Sequence, residues 1–286
     1  MNTTALNITD RATLLYNALV AGFILVFHAR IPQWPVWLLA SLAMLAAVFL
    51  MTRVVGRYAN TPAQLLRHLY PLLLFFLAYE QTGHINRALF PELLDPYFQM
   101  AEAAVFGGQP AVLLADLFPQ RWLAEYLQCA YFSYYLQFLG LGVFLFLRRA
   151  RRALSDYLFA LCATMYACYL IFILVPVQGA AHYALPVPHG GGPFSAVMAH
   201  IYVNCEIEGA AFPSSHVAIA AVVLYYTWRY ARRATWFIAP LVFSLMLATV
   251  YCRYHYALDV LAGLATAAVL IPLWRRLNPD LRDGPH

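Results

Sequence analysis

The chain has 286 residues, of which 63% are hydrophobic and only 11% are charged. Soluble domains usually carry about 25% charged residues, so the composition excludes an ordinary soluble enzyme and indicates an integral membrane protein. The net charge of +5 comes from 18 basic residues, none of which is lysine; we expect these to contact anionic lipid head groups and expect no nucleic-acid partner.

Apolar windows recur along the whole chain. A bilayer core of about 30 Å requires roughly 20 residues of helix. Eight windows approach or reach this length: 14–29, 34–54, 66–85, 122–147, 154–176, 213–230, 235–252 and 256–274. The sequence therefore predicts an all-α, polytopic membrane bundle of about eight transmembrane helices in a single domain, residues 1–286. The first window lacks a small-residue cleavage site, so we expect a retained helix rather than a removed signal.

The arginines indicate an orientation. They cluster after the second, fourth, sixth and eighth windows, near residues 53–57, 148–152, 229–233 and 275–282. Under the positive-inside rule these ends and both termini are cytoplasmic. We therefore expect an inner membrane of a bacterium, or its equivalent, with segments 87–121, 177–212 and 253–255 on the extracytoplasmic side.

Two of these outer segments are rich in proline and glycine. Residues 87–121 predict short interfacial helices that cover a lateral lipid entrance, whereas residues 176–212 predict a loop, where sites often lie. The five cysteines are an odd number and imply no disulfide framework.

Residues 212–216 read Phe-Pro-Ser-Ser-His at the start of the sixth window. Proline is favoured as the first residue of a helix, which would place Ser214, Ser215 and His216 in the first turn. The free amides and positive dipole end of such a turn bind anions. The alternative is that Ser214 or Ser215 only caps the helix and that His216 lies at the membrane interface.

Residues 253–259 read Arg-Tyr-His-Tyr-Ala-Leu-Asp. His255 and Asp259 are four residues apart and would share one face of a helix. The carboxylate would then bind the Nδ1 proton and leave Nε2 of His255 as a nucleophile, with His216 as acid and base. Arg253 would neutralise phosphate oxygens. The alternative is a structural His–Asp pair.

These motifs resemble those of the phosphatidic acid phosphatase type 2 superfamily, whose second and third motifs read Pro-Ser-Gly-His and Ser-Arg-x5-His-x3-Asp. The resemblance covers the last six windows at most. It implies a catalytic six-helix core over residues 61–276, with two extra spans within residues 1–60. It also implies that His255 is the nucleophile, that Asp259 orients it and that His216 is the acid and base.

The chain departs from the superfamily at three places. Ser215 replaces the motif glycine, Thr249 occupies the position of the third-motif arginine, and the first motif, Lys-x6-Arg-Pro, cannot exist without lysine. Loss of that positive charge suits a phosphodiester better than a dianionic phosphomonoester. The form of both motifs is similar to the inositol phosphorylceramide synthases and, less closely, to the sphingomyelin synthases.

Other polar residues are candidates for substrate contacts. Glu80 and His84 are four apart near the end of the third window, and an intramembrane carboxylate suggests function; a structural pair of Glu80 with His84 or Arg87 is an equal alternative. Glu80 and Glu102 could accept head-group hydroxyls. His182 could supply charge missing from the first motif.

The sequence thus predicts a membrane enzyme that moves a phosphorylated head group from a phospholipid donor to a lipid hydroxyl acceptor through a phosphohistidine. We expect no cofactor and no required metal, because no His, Cys or acid spacing matches a zinc or EF-hand pattern. One rival is a lipid phosphate or prenyl diphosphate phosphatase, in which water is the acceptor. Another is a non-catalytic lipid transporter or binding protein.

Overall fold

A computed structural model describes residues 4–58, 60–180 and 191–278. Within these ranges the chain forms eleven α-helices and no β-strand, which confirms the predicted all-α bundle. The helices are α1 (Ile8–Phe27), α2 (Trp34–Arg53), α3 (Thr61–Ile85), α4 (Asp95–Phe106), α5 (Pro110–Leu117), α6 (Arg121–Leu147), α7 (Arg151–Leu174), α8 (Pro193–Cys205), α9 (Ser215–Tyr230), α10 (Thr235–Tyr251) and α11 (Ala257–Leu277).

Each of the eight apolar windows lies on one of the longer helices, namely α1, α2, α3, α6, α7, α9, α10 and α11. In the described part of the chain, six of these are long and apolar enough to cross a membrane; α3 and α9 are not among them. Helix α3 has 25 residues but carries polar residues toward both ends. Helix α9 has only 16 residues, or about 24 Å.

Helix α7 is the centre of the bundle. In its most apolar window 78% of the residues are buried, against 17–44% in the other five candidate spans. Large apolar side chains are instead exposed on the outer helices, for example Leu39 on α2 and Phe243 on α10. Such side chains suit contact with lipid, which solvates apolar surface as well as a protein interior does.

Helix α1 is fastened to α3 by a buried ion pair. Both guanidinium NH groups of Arg67 donate to the carboxylate of Asp10, at 3.0 and 2.6 Å, and the Tyr70 hydroxyl donates to the same carboxylate at 2.6 Å. Asp10 and Arg67 are 0% and 2% exposed. Because a buried charge is tolerated only with such partners, this contact fixes α1 against the rest of the bundle.

The two segments rich in proline and glycine differ in how well their predicted structure agrees with the observed one. Segment 87–121 contains two short helices, α4 and α5, joined at Gly107, which has a positive φ of 74°. Segment 176–212 was predicted to be a loop, and this was wrong for residues 193–205, which form α8. The reason is a contact from another helix: the Glu125 carboxylate of α6 accepts hydrogen bonds from the amides of Gly192, Phe194 and Ser195.

Helices α9 and α11, which carry the histidine motifs at their starts, approach closely at Gly263. A Cβ atom on Gly263 would lie 2.6 Å from the carbonyl oxygen of Ser214 and 3.1 Å from Cβ of Val217. The Ser214 amide also donates to the carbonyl of Asp259 at 3.0 Å. The absence of a side chain at residue 263 therefore allows the two motifs to meet.

We expect Gly263→Ala to destabilise the protein by about 1–3 kcal/mol, because the added methyl group overpacks the α9–α11 contact. Gly140→Ala on α6 is the matched control, since a Cβ there meets nothing within 4 Å. Thermal unfolding in detergent measures both variants. An unchanged melting temperature for Gly263→Ala would show that α9 and α11 can move apart without loss of stability, and would contradict the importance of this close contact.

Candidate active site

His216 lies in the first turn of α9. The helix begins at Ser215, and Ser214 is its N-cap, whose hydroxyl accepts the Val217 amide at 3.4 Å. The prediction that Pro213 is the first helical residue was therefore wrong by two positions. A serine side chain satisfies a free first-turn amide well, so the helix starts after the cap and the proline precedes it.

His255 lies in a tight turn between α10 and α11. Arg253 adopts a left-handed conformation, with φ 65°, and the amides of Tyr254 and His255 both donate to the carbonyl of Thr249, at 3.1 and 2.9 Å. Helix α11 begins only at Ala257. His255 and Asp259 therefore do not share a helical face as expected, because the chain reverses direction before the helix starts.

The two residues meet through the helix cap instead. Oδ2 of Asp259 accepts the Tyr256 amide at 2.9 Å and lies 3.4 Å from Nδ1 of His255. A distance of 3.4 Å is long for a hydrogen bond, although catalytic contacts often shorten only when substrate binds. Both side chains are buried. Asp259 thus holds one side of the imidazole and leaves Nε2 directed elsewhere.

The imidazole rings of His216 and His255 lie next to each other, with centroids 5.7 Å apart and planes at 61°. One phosphate group can span this separation. Two tyrosines of α6 hold the ring of His216: the Tyr131 hydroxyl is 3.0 Å from its Nε2, and the Tyr134 ring centroid is 4.5 Å away. Sequence reasoning missed both tyrosines, because nothing in their spacing distinguishes them from the many other tyrosines of the chain.

A cavity of about 290 Å³ reaches His216 and Ser215. Its lining is mostly apolar and aromatic, with Leu72 and Met165 among these residues, and it also includes the carboxyl groups of Glu80 and Glu206. Eight residues separate Leu72 from Glu80 on α3, which is about 12 Å along the axis. A lipid molecule, with an apolar part and a polar part, has the same polarity pattern.

Only some of the other predicted site residues line the cavity. Ser215 and Glu80 line the cavity, whereas Ser214 is buried behind it and Arg253 is buried in the turn before His255. Glu80 also pairs with His84 at 3.2 Å, the structural alternative considered for it. His182 lies outside the described residues.

Glu102 was expected to accept head-group hydroxyls, but it does not line the cavity. It is buried on α4, away from the cavity, and its Oε1 accepts the Leu258 amide of α11 at 3.2 Å. Asp95, at the start of α4, accepts the amides of Gln178 and Gly179 and the hydroxyl of Tyr256. Helix α4 is therefore tied by two carboxylates to the segment that carries the histidine.

Two histidines and a carboxylate thus converge beside a cavity with apolar and polar lining. A family model described as the PAP2 superfamily matches residues 98–273, which is more than half of the chain. The protein belongs to this superfamily of phosphatases and phosphotransferases that act on lipids. No curated protein and no solved structure matches the chain.

We expect Tyr131→Phe to lower kcat about tenfold with little change in KM, because the ring remains while the hydroxyl that positions His216 is lost. A shifted pH profile would accompany the lower rate. Tyr126→Phe is the control, since Tyr126 lies on the same helix but bonds Ser244 on the exposed side. Equal kinetics for the two variants would contradict the positioning role.

Glu102 predicts a pH dependence of stability. Burial raises the pKa of its carboxyl from 4.5 to about 7, against the opposing effect of the α11 amides. A carboxyl with a raised folded-state pKa loses its stabilising contribution as pH rises from about 4.5 to about 7. We expect the melting temperature to fall across this interval, and to fall less in Glu102→Gln. Glu92 is exposed, so the melting temperature of Glu92→Gln should fall with pH as that of the unmodified protein does. If the melting temperature of Glu102→Gln falls equally, a group other than Glu102 causes the pH dependence.

Proposed function

We propose that this protein transfers a phosphorylated head group from a phospholipid donor to a lipid hydroxyl acceptor, in the manner of the inositol phosphorylceramide synthases. The observation that carries the proposal is the pairing of two imidazoles at 5.7 Å, one of which contacts a buried carboxylate. Superfamily membership supports phosphatase or phosphotransferase chemistry on a lipid.

In the first step Nε2 of His255 attacks phosphorus and forms an N–P bond. The P–O bond to the diacylglycerol oxygen breaks, and His216 donates a proton to that oxygen. In the second step the acceptor hydroxyl attacks phosphorus, the N–P bond breaks, and His216 takes the hydroxyl proton. Asp259 stabilises the positive charge on the phosphorylated imidazole.

The charge of the site favours a diester over a monoester. Within the described residues that line the cavity there is no arginine, and the whole chain has no lysine. Arg253 remains our candidate for contact with phosphate oxygens, together with Ser215 and the first-turn amides of α9. A phosphodiester has one negative charge to neutralise, whereas a phosphomonoester has up to two.

We place the site on the extracytoplasmic side. Helix α9 carries His216 in its first turn and Arg229 in its last turn. Helix α11 carries Asp259 in its first turn and Arg275 and Arg276 in its last turn. The arginine-rich ends therefore lie opposite the histidines along both helices. The positive-inside rule assigns arginine-rich ends to the cytoplasm, and lipid then enters from the outer leaflet.

The test uses the full chain reconstituted in vesicles with a phospholipid labelled in its phosphate group. Transfer predicts a new labelled lipid that appears only when ceramide or diacylglycerol is added. Release of inorganic phosphate from labelled phosphatidic acid in the absence of an acceptor would instead identify the phosphatase alternative.

We expect His255→Ala to abolish turnover and His216→Ala to lower it by about 10²- to 10⁴-fold, as for loss of an acid–base group. A labelled phosphohistidine that is stable to base and labile to acid should be trapped on the unmodified protein but not on His255→Ala. Full lipid movement by a folded His255→Ala protein would contradict catalysis and support a transporter.

A further inference from the structure

The cavity beside His216 has aromatic walls from several parts of the chain. Tyr79 on α3, Tyr131 and Tyr135 on α6, Tyr202 on α8 and Tyr254 in the turn before α11 all line it. The Tyr131 and Tyr254 ring centroids are 4.5 Å apart, and those of Tyr202 and Tyr254 are 5.9 Å apart. The cavity is thus partly enclosed by tyrosine rings.

The hydroxyls of these tyrosines are largely occupied by the protein itself. The Tyr131 hydroxyl bonds His216, and the Tyr254 hydroxyl donates to Oε1 of Gln128 at 2.9 Å. The hydroxyl of Tyr202 is also bonded to a side chain. The ring faces, rather than hydrogen-bonding groups, are therefore what these walls offer a ligand.

The charge inside the cavity is negative. The described residues that line the cavity include two carboxyl groups, those of Glu80 and Glu206. Apart from tyrosines, one cysteine and His216, they include no other ionisable group. Glu80 pairs with His84, whereas the carboxylate of Glu206 has no ion-pair or hydrogen-bond partner within the described ranges. The tyrosines that line the same cavity as Glu206 include Tyr79, Tyr131, Tyr135, Tyr202 and Tyr254.

We propose that this cavity binds the ammonium group of a choline or ethanolamine phospholipid, with its phosphate between His216 and His255. The inference rests on the proposed function and names its donor. Tyrosine faces attract a cation through their quadrupoles. The carboxyl of Glu206 lines the same space; burial raises its pKa to about 7, and a bound ammonium group would favour its ionised form. The ammonium of such a lipid is only two carbon atoms from the phosphate ester oxygen, and the Tyr131 ring lies beside both His216 and Tyr254, at centroid distances of 4.7 and 4.5 Å.

Other head groups fit the same walls less well. A polyol such as inositol needs several free donors and acceptors, and the tyrosine hydroxyls that could provide them are engaged. We therefore keep the transfer chemistry of the inositol phosphorylceramide synthases but assign it a donor with a different head group. A glycerol or phosphomonoester head group would bring no positive charge to Glu206. An anionic head group would meet two carboxylates and no arginine, which is repulsive.

The experiment compares donors in the reconstituted full chain. Phosphatidylcholine, phosphatidylethanolamine, phosphatidylinositol and phosphatidylglycerol are supplied at equal mole fraction with the same lipid acceptor. We expect kcat/KM for one or both ammonium lipids to exceed that for the other two by at least about tenfold, the size of one desolvated cation–π contact with a charge. Equal or greater turnover of phosphatidylinositol or phosphatidylglycerol overturns the proposal.

Variants then test the residues. Glu206→Gln should raise KM for the ammonium lipid about tenfold and so narrow its advantage over phosphatidylglycerol. Glu208→Gln is the matched control: it lies two residues away in the same loop, but Glu208 pairs with Arg87 at 3.0 Å and does not line the cavity. Tyr202→Phe keeps an aromatic ring and should retain the preference for ammonium lipids, whereas Tyr202→Leu removes the ring and should weaken this preference. An unaltered donor preference in Glu206→Gln and Tyr202→Leu overturns the proposal.

A binding measurement separates this inference from the proposed function. In the His255→Ala protein, which cannot turn over, phosphocholine should raise the melting temperature more than inositol phosphate or inorganic phosphate does. If no donor is turned over but phosphocholine binds selectively, the transfer reaction is wrong and the head-group site stands. If transfer occurs but phosphocholine binds no better than inositol phosphate, the head-group site is wrong and the transfer reaction stands.

Discussion

The arrangement of the site depends on the close approach of α9 and α11 at their first turns. Ser214 donates its amide to the carbonyl of Asp259, and Gly263 provides the space in which the carbonyl of Ser214 lies. His216 and His255 come from separate segments, and this close approach brings their ring centroids to 5.7 Å. Packing in protein interiors is dense enough that a shift of the two helices is not absorbed nearby.

The carboxylates around the site follow a common pattern. Asp95, Glu102, Glu125 and Asp259 each accept backbone amides, mostly at the start of a helix. Hydrogen-bond donors offset part of the cost of burying a carboxylate, and helix N-termini supply these without added positive charge; for Glu102 burial still outweighs them and raises the pKa to about 7. Glu206 differs, since it faces the aromatic cavity without such a partner. This difference is what makes it a ligand-binding group in our interpretation.

Sequence reasoning predicted the helical bundle and selected the residues that the structure brings together. His216, His255 and Asp259 were selected because their spacing is typical of an acid–base pair with an orienting carboxylate. Tyr131 was missed, because its importance comes from a ring position across the interface between α6 and α9. Helix α8 was missed for a related reason: the local sequence is rich in helix breakers, and Glu125, far away in the chain, satisfies its first amides.

The sequence by itself determined that the chain is a helical membrane protein, because apolar windows of this length have no other stable arrangement in lipid. It also determined which side chains can do the chemistry, since only certain groups act as nucleophile, acid or base. Only the tertiary structure decided how those groups meet: the turn that precedes α11, the cap that joins His255 to Asp259, and the tyrosine cavity beside His216. These depend on contacts between segments far apart in the chain, and local patterns of hydrophobicity carry no record of which segments become neighbours.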